Sequence, residues 1–188
     1  MTQAAPLSFD LNQEMLNMLG QRLDIQRPVS KLVEVLAGKR GAEAEEAARG
    51  IFEDYGREWA GLTLQLGERH SDRTYQVLKE VVDRTGSFGF ALIPQRFVEI
   101  AYLSTQQIRS LPIVENNNRR LAYEMRDCRI FEAVKERCGE AAANLMTCRQ
   151  ACLALVRSIY ESLGLAAAIE MEASLPQDGC CRFAATRA

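Results

Sequence analysis

The residues of this chain that are best suited to chemistry are its six cysteines, and all of them lie in the last third of the 188 residues. A cysteine thiolate is both a nucleophile and a ligand for soft metal ions. The clustering marks the C-terminal third as the region in which to look for a reactive or metal-binding site. The six are Cys128, Cys138, Cys148, Cys152, Cys180 and Cys181.

Two of the cysteines are predicted to stand at the starts of helices. Thr147 and Gln150 have the spacing of a capping box, which makes Cys148 the first residue of its helix. Asp127 is a favourable N-cap residue directly before Cys128. Free backbone N–H groups and the helix dipole stabilise negative charge at such positions, so both favour a thiolate.

The remaining cysteines are assigned from the residues that surround them. Cys138 and Cys152 fall on apolar helical stripes and are expected in the core, where the thiol of Cys152 should ionise less readily than a thiol at a helix start. Cys181 lies on the apolar face of the last strand and should point at the helices. Cys180 should face solvent on the same side as Arg182.

Cys128, Cys148 and Cys181 are therefore expected to converge between sheet and helices. Three thiolates and one further ligand would hold Zn²⁺ or an iron–sulfur cluster. Alternatively, Cys148 or Cys128 is the nucleophile of an enzyme. Plain packing of the three thiols remains open as well. The single histidine, His70, has no catalytic partner near it in sequence, and no CxxC, HExxH, P-loop or GxGxxG motif is present.

The elements that must position these cysteines follow from the apolar spacing. The first two thirds of the chain show helical periodicity, as in the stripe of Ala47, Ile51, Tyr55, Trp59 and Leu62. From Arg120 onward the pattern predicts a half-buried strand, two helices and a β-hairpin over 168–186 that turns at “PQDG”. The residues between Arg96 and Leu103 fit either a strand or a short helix.

The sequence thus predicts an α+β fold in which N-terminal helices are followed by a strand–helix–helix–β-hairpin unit. Residues 1–110 form the mainly helical region, and residues 111–188 form the α/β unit with the cysteine cluster. The two regions are expected to pack as one compact domain.

Composition limits the partners of the chain. The net charge is −2 without a basic block, which argues against a nucleic-acid partner. No apolar run has the length of a membrane span, and the N-terminus has no secretory pattern, so we expect a cytoplasmic protein with reduced cysteines. A small molecule is the expected partner, and a homodimer is left open.

Three segments of the C-terminal third resemble the L-2-amino-thiazoline-4-carboxylic acid hydrolase-like family: “YEMRDCRIFEAVKERCG”, “LMTCRQAC” and “IEMEASLPQDGCCRF”. The matching positions are Cys128, Cys148, Gly179, Cys181 and Phe183, within residues 119–186. That family is similar to vinyl-reductase-type small-molecule-binding domains and to vesicle transport-particle subunits, so the resemblance implies their fold.

One departure from the family concerns activity. The family often carries an acidic residue shortly after the second cysteine, where this chain has Arg149, Gln150 and Ala151. Three functions follow as hypotheses. The favoured one is a small-molecule- or metal-binding protein with a thiolate site. The others are a hydrolase that opens a small cyclic thio-amidine acid with a cysteine nucleophile, and a helical interaction module without chemistry.

Overall fold

Helices precede and interrupt a four-stranded antiparallel sheet. The computed structural model describes residues 13–69, 73–86, 90, 92–106, 108 and 110–188. The helices are α1 (Gln13–Arg22), α2 (Gln26–Gly38), α3 (Gly41–Arg69), α4 (Arg73–Thr85), α5 (Leu92–Glu99), α6 (Arg129–Cys138), α7 (Glu140–Asn144), α8 (Arg149–Ser162) and α9 (Leu175–Asp178). The strands are β1 (Ile113–Asn116), β2 (Arg120–Met125), β3 (Ala167–Ala173) and β4 (Cys181–Arg187).

The longest helix, α3, buries one stripe of residues spaced three or four apart, as an amphipathic helix does. Ala48 and Phe52 point into the core in place of Ala47 and Ile51, which are half-buried. The buried face of the first turns is therefore rotated by one residue from the predicted stripe. The predicted members that are buried are Tyr55, Trp59 and Leu62.

Helix α5 continues into a π-helical turn, Ile100–Thr105, in the segment for which the sequence favoured neither helix nor strand. The Trp59 side chain of α3 holds this turn, because its indole Nε1 donates to Thr105 Oγ1 at 2.6 Å and to the Ala101 carbonyl at 3.1 Å. Single π-helical turns are rare and often occur at functional sites.

The sheet has the strand order β1-β2-β4-β3, and all neighbouring strands are antiparallel. Tyr123 is opposite Phe183, their rings stack at 5.9 Å, and Met125 is opposite Cys181. The predicted α+β class is confirmed. Strand β1 was not predicted, and residues 117–119 connect it to β2.

Strand β2 is buried on both faces, so the prediction of a half-buried strand is wrong. Glu124, expected to be solvated, is 7% exposed. On the neighbouring strand, Arg182 donates through Nη2 to Glu124 Oε1 at 2.5 Å, and Arg126 also contacts this carboxylate. Strand β2 lies in the middle of the sheet, so long side chains such as those of Arg182 and Arg126 cover its outer face. The alternation of apolar residues within β2 alone does not show this cover.

The predicted hairpin is confirmed, because β3 and β4 pair in antiparallel fashion. The short helix α9 forms the connection, and Gly179 ends it with φ 69°, a left-handed conformation that glycine adopts without strain. The apolar alternation of the hairpin predicts that Ile169, Met171, Leu175, Cys181 and Phe183 are buried. Cys181, Phe183 and Ile169 are buried as this pattern predicts, whereas Met171 and Leu175 are only partly buried against the core.

The helical region and the α/β unit share one buried apolar cluster, which includes residues from α1 to β4. Helix α3 packs closely on α8 at Gly56, where a Cβ atom would lie 2.2 Å from the carbonyl oxygen of Ala151. Among the described helices, none is long and apolar enough to cross a lipid bilayer.

Candidate functional site

Cys128 is itself the N-cap of α6, in place of the predicted Asp127. Its backbone is extended, with φ −103° and ψ 104°, and its Sγ accepts a hydrogen bond from the Phe131 N–H at 3.4 Å. The sulfur thus takes the place of the usual capping oxygen. The prediction that a helix begins here is confirmed, with a boundary one residue later than expected.

The start of α8 differs from the predicted capping box. Cys148 has a helical backbone and its side chain makes no cap hydrogen bond. The N–H groups of Arg149, Gln150 and Ala151 are already bonded to the carbonyls of residues 146–148, because a turn precedes the helix. The capping role predicted for Thr147 is therefore wrong, and the first N–H groups of α8 are not free to stabilise a thiolate at Cys148.

Four buried thiols lie close enough in the core to interact electrostatically: those of Cys128, Cys148, Cys152 and Cys181. The Tyr102 hydroxyl of the π-helical turn also interacts electrostatically with the Cys152 thiol. All four belong to the buried core of the molecule, and the prediction that the sulfurs of Cys128, Cys148 and Cys181 converge on one another stays a prediction.

Burial keeps these thiols protonated. It raises the pKa of Cys148 and Cys152 well above the ordinary value and raises the pKa of Cys181 to about 12. Burial also raises the pKa of Cys128, although the N–H groups of Phe131 and Ile130 oppose this shift. The expectation that the helix starts favour thiolates is contradicted, because desolvation outweighs the helix N–H groups.

The cluster does not fit a metal centre in this arrangement. Within the described ranges, no group of three or more His, Cys, Asp or Glu side chains is positioned to hold a metal ion. A structural zinc site requires four ligands at bond distance, and its thiols are deprotonated. A role for Cys128, Cys148 and Cys181 in binding zinc or an iron–sulfur cluster therefore remains a prediction from the sequence that this geometry does not support.

The burial of the other cysteines agrees with the predictions in some cases and not in others. Cys152 is buried as predicted, and Cys138 is half-buried against the core. The prediction that Cys180 faces solvent is wrong, because its residue is only 8% exposed. Cys180 precedes β4 and interacts electrostatically with Arg182. His70 lies outside the described residues.

An open cleft of about 750 Å³ reaches Cys128. Its walls are the end of α1, the connection from α1 to α2, the end of the π-helical turn and the first turns of α6. Thr105 and Gln106 line it beside Cys128, and both are buried. Cys148, Cys152 and Cys181 do not line this cleft, so Cys128 is the member of the cluster that a molecule in the cleft can meet.

The cleft carries charged side chains of both signs. Arg126 directly follows β2 and Arg129 is the first residue of α6, and the Arg129 guanidinium donates to the Gln106 carbonyl at 3.4 Å. The carboxylates that line it are Asp24, Asp127, Glu132 and Glu136. Sequence analysis missed this group, because its residues come from three separate segments of the chain, 19–26, 105–106 and 126–136.

No protein-family model matches this chain, and no curated protein matches it either.

Proposed function

We propose that this protein binds a small organic molecule in the cleft at the start of α6, where the molecule meets the Cys128 thiol. The observation that carries the proposal is the cleft of about 750 Å³ that reaches this buried side chain. Ligand sites are usually concave, with apolar walls and a few convergent polar groups. Leu19, Leu23 and Ala133 supply the apolar wall here, and Gln106 supplies a buried polar group.

The resemblance to the L-2-amino-thiazoline-4-carboxylic acid hydrolase-like family supports the same site. Cys128 is one of its matching positions, and it is the matching cysteine that lines the cleft. The resemblance also supports a fold like that of vinyl-reductase-type domains and transport-particle subunits. The antiparallel sheet with helices before and between its strands is compatible with that proposal. A cytoplasmic location belongs to the proposal as well.

Hydrolysis is the second candidate function, because Cys128 is a nucleophile at the wall of a cleft. Ring opening of a cyclic thio-amidine acid by Cys128 requires loss of the thiol proton before attack. Since burial raises the pKa of Cys128, such an activity should increase as the pH rises above the ordinary thiol range, about 8.5.

The test is calorimetric titration of L-2-amino-thiazoline-4-carboxylic acid into the full chain. We expect saturable binding that is lost in Gly20→Trp, because Gly20 lines the cleft, a Cβ atom there meets no other atom within 4 Å, and the indole would fill the cleft beyond it. The matched control is Gly61→Trp, which also has open space but lies on α3 outside the cleft.

Chromatography of the same mixtures separates the two candidate functions. Binding without a ring-opened product supports a binding protein, and a product that disappears in Cys128→Ser supports a hydrolase. Binding that persists unchanged in Gly20→Trp would place the ligand elsewhere on the molecule and overturn the proposal.

A further inference from the structure

We infer that the cleft at Cys128 selects organic cations with N–H donors over neutral molecules and anions of the same shape. This inference rests on the proposed function, and it adds the chemical class of the ligand. Its evidence is the hydrogen bonding of Gln106 and the balance of charge around the cleft.

Gln106 is held so that one end of its amide is already occupied. Its Nε2 donates to the Tyr55 hydroxyl at 3.0 Å, and that hydroxyl donates to the Leu23 carbonyl at 3.0 Å. These two consecutive hydrogen bonds fix which way the Gln106 amide points. The residue is only 4% exposed and lines the cleft, and its Oε1 has no hydrogen-bond partner among the described residues. This oxygen is not among the buried side-chain atoms that lack a partner, so it is accessible at the cleft wall, where a donor from a ligand can bond to it.

The charges around Gln106 favour a ligand that is positive. Four carboxylates line the cleft against two guanidinium groups, and the guanidinium of Arg126 is already in contact with Glu124. Within the described part of the chain, Asp127, Glu132 and Glu136 make no ion pair. The cleft therefore has a net negative charge, which attracts a cation and repels an anion.

A donor-rich cation satisfies both features together. An amidinium or ammonium N–H can bond to the free Gln106 Oε1 while its charge is balanced by the carboxylates at the cleft wall. A carboxylate ligand could pair with the Arg129 guanidinium. It would then also lie close to the cleft carboxylates and to Gln106 Oε1, which repel its negative charge. Because the carboxylates are exposed, the selectivity should weaken as the salt concentration rises.

The experiment compares benzamidine, benzamide and benzoate, which share one shape and carry a positive, zero and negative charge. Binding to the full chain is measured by ligand-observed NMR and calorimetry at low salt. We expect benzamidine to bind at least about tenfold more tightly than benzamide, and benzoate to bind more weakly than both. All detectable binding should be lost in Gly20→Trp and kept in Gly61→Trp.

Two variants test which residues of the cleft produce the preference for benzamidine. Asp127→Asn removes one exposed charge and should weaken benzamidine about threefold while it leaves benzamide unchanged. Gln106→Met keeps the length of the side chain and should reduce the preference for benzamidine over benzamide, with folding checked by circular dichroism. Glu161→Gln, an exposed carboxylate of α8 outside the cleft, is the control and should leave all affinities unchanged.

The outcomes separate the two proposals. If none of the three probes binds in a way that Gly20→Trp abolishes, the inference of cation selectivity is overturned, whereas the proposed function is decided separately by the titration of L-2-amino-thiazoline-4-carboxylic acid. If they bind in the cleft with equal affinity, or benzoate binds most tightly, the cleft is a ligand site and the inference of cation selectivity is overturned.

Discussion

At the scale of single residues, the two helix-start cysteines show what a sequence pattern can and cannot predict. Both positions were correctly placed near a helix start, because apolar spacing is a local feature, although neither Asp127 nor Thr147 is the N-cap that the sequence predicted. The sequence did not show which of the two thiols contacts free helix N–H groups. At α8 the first N–H groups are already bonded to the carbonyls of the preceding turn. Cys128 is the thiol that accepts from the helix, and it is also the one that lines the cleft.

This arrangement predicts the order in which the buried thiols react. Cys128 and Cys148 are about equally buried, but access through the cleft should let iodoacetamide modify Cys128 before Cys148 and Cys152 in the folded protein. Peptide mass spectrometry over a time course measures the order. Gly20→Trp should slow modification of Cys128 and leave that of the half-buried Cys138 unchanged. Modification of Cys148 before Cys128 would contradict the assignment of the cleft.

Phe183 supports a second prediction at this scale. The ring is 1% exposed and stacks on Tyr123 across the central strands. Phe183→Ala should lower the free energy of unfolding by about 3–5 kcal/mol, because it leaves a cavity in the core. Urea denaturation measures the loss. Val114→Ala, at an exposed position on β1, is the control and should change stability by less than about 0.5 kcal/mol.

At the scale of elements, local periodicity predicted most helices and the hairpin, while long-range packing decided the rest. Strand β1 has only four residues and depends on pairing with β2, so its sequence carries little signal by itself. The π-helical turn depends on Trp59, which lies more than forty residues earlier in the chain. The rotated stripe of α3 likewise follows from its partners in the core.

The contact between α3 and α8 gives a prediction with an internal control. Gly56→Ala places a Cβ against the Ala151 carbonyl, so the helices must move apart at a cost of about 1–3 kcal/mol. Gly61→Ala on the same helix meets no atom and should stabilise the protein by up to about 1 kcal/mol through helix propensity. Thermal unfolding of both variants tests this. Equal shifts in the same direction would show that α3 and α8 are not in close contact at Gly56.

At the scale of the whole molecule, the α+β class was predictable because the period of the apolar pattern changes near Arg120. The cleft was not predictable, because it forms where α1, the π-helical turn and α6 come together. Such a tertiary contact leaves no pattern in any one segment of the sequence. The proposed domain limits at residue 110 stay a prediction. The buried cluster that continues from α1 to β4 shows that both regions contribute to one core.

The buried thiols and phenols also make a prediction about the stability of the whole protein. The folded-state pKa values of Cys148 and Cys152 are well above the ordinary thiol value, and those of Cys181 and Tyr55 are raised to about 12. These groups therefore stabilise the fold fully below their unfolded pKa values, and this stability is lost as the pH rises toward the folded values. Between about pH 9 and pH 12, each thiol that ionises only on unfolding lowers the free energy of unfolding by about 1.4 kcal/mol per pH unit.

Urea midpoints from about pH 7 to about pH 10, measured with reductant present, should fall steeply above pH 9. In Cys181→Ala the fall should be shallower, because one of the groups that ionises on unfolding is missing. A midpoint that is independent of pH over this range would mean that the thiols are exposed in the folded protein.

The strand order has a consequence for how the sheet opens. Strand β4 is bonded to β2 on one side and to β3 on the other, and its partner β2 precedes it by about sixty residues. Its amide protons should therefore exchange with deuterium only when the sheet separates as a whole, which makes them reporters of global unfolding. Strand β3 pairs on one side only within the described sheet, so about every second amide along it should exchange early, without disturbing the core beneath.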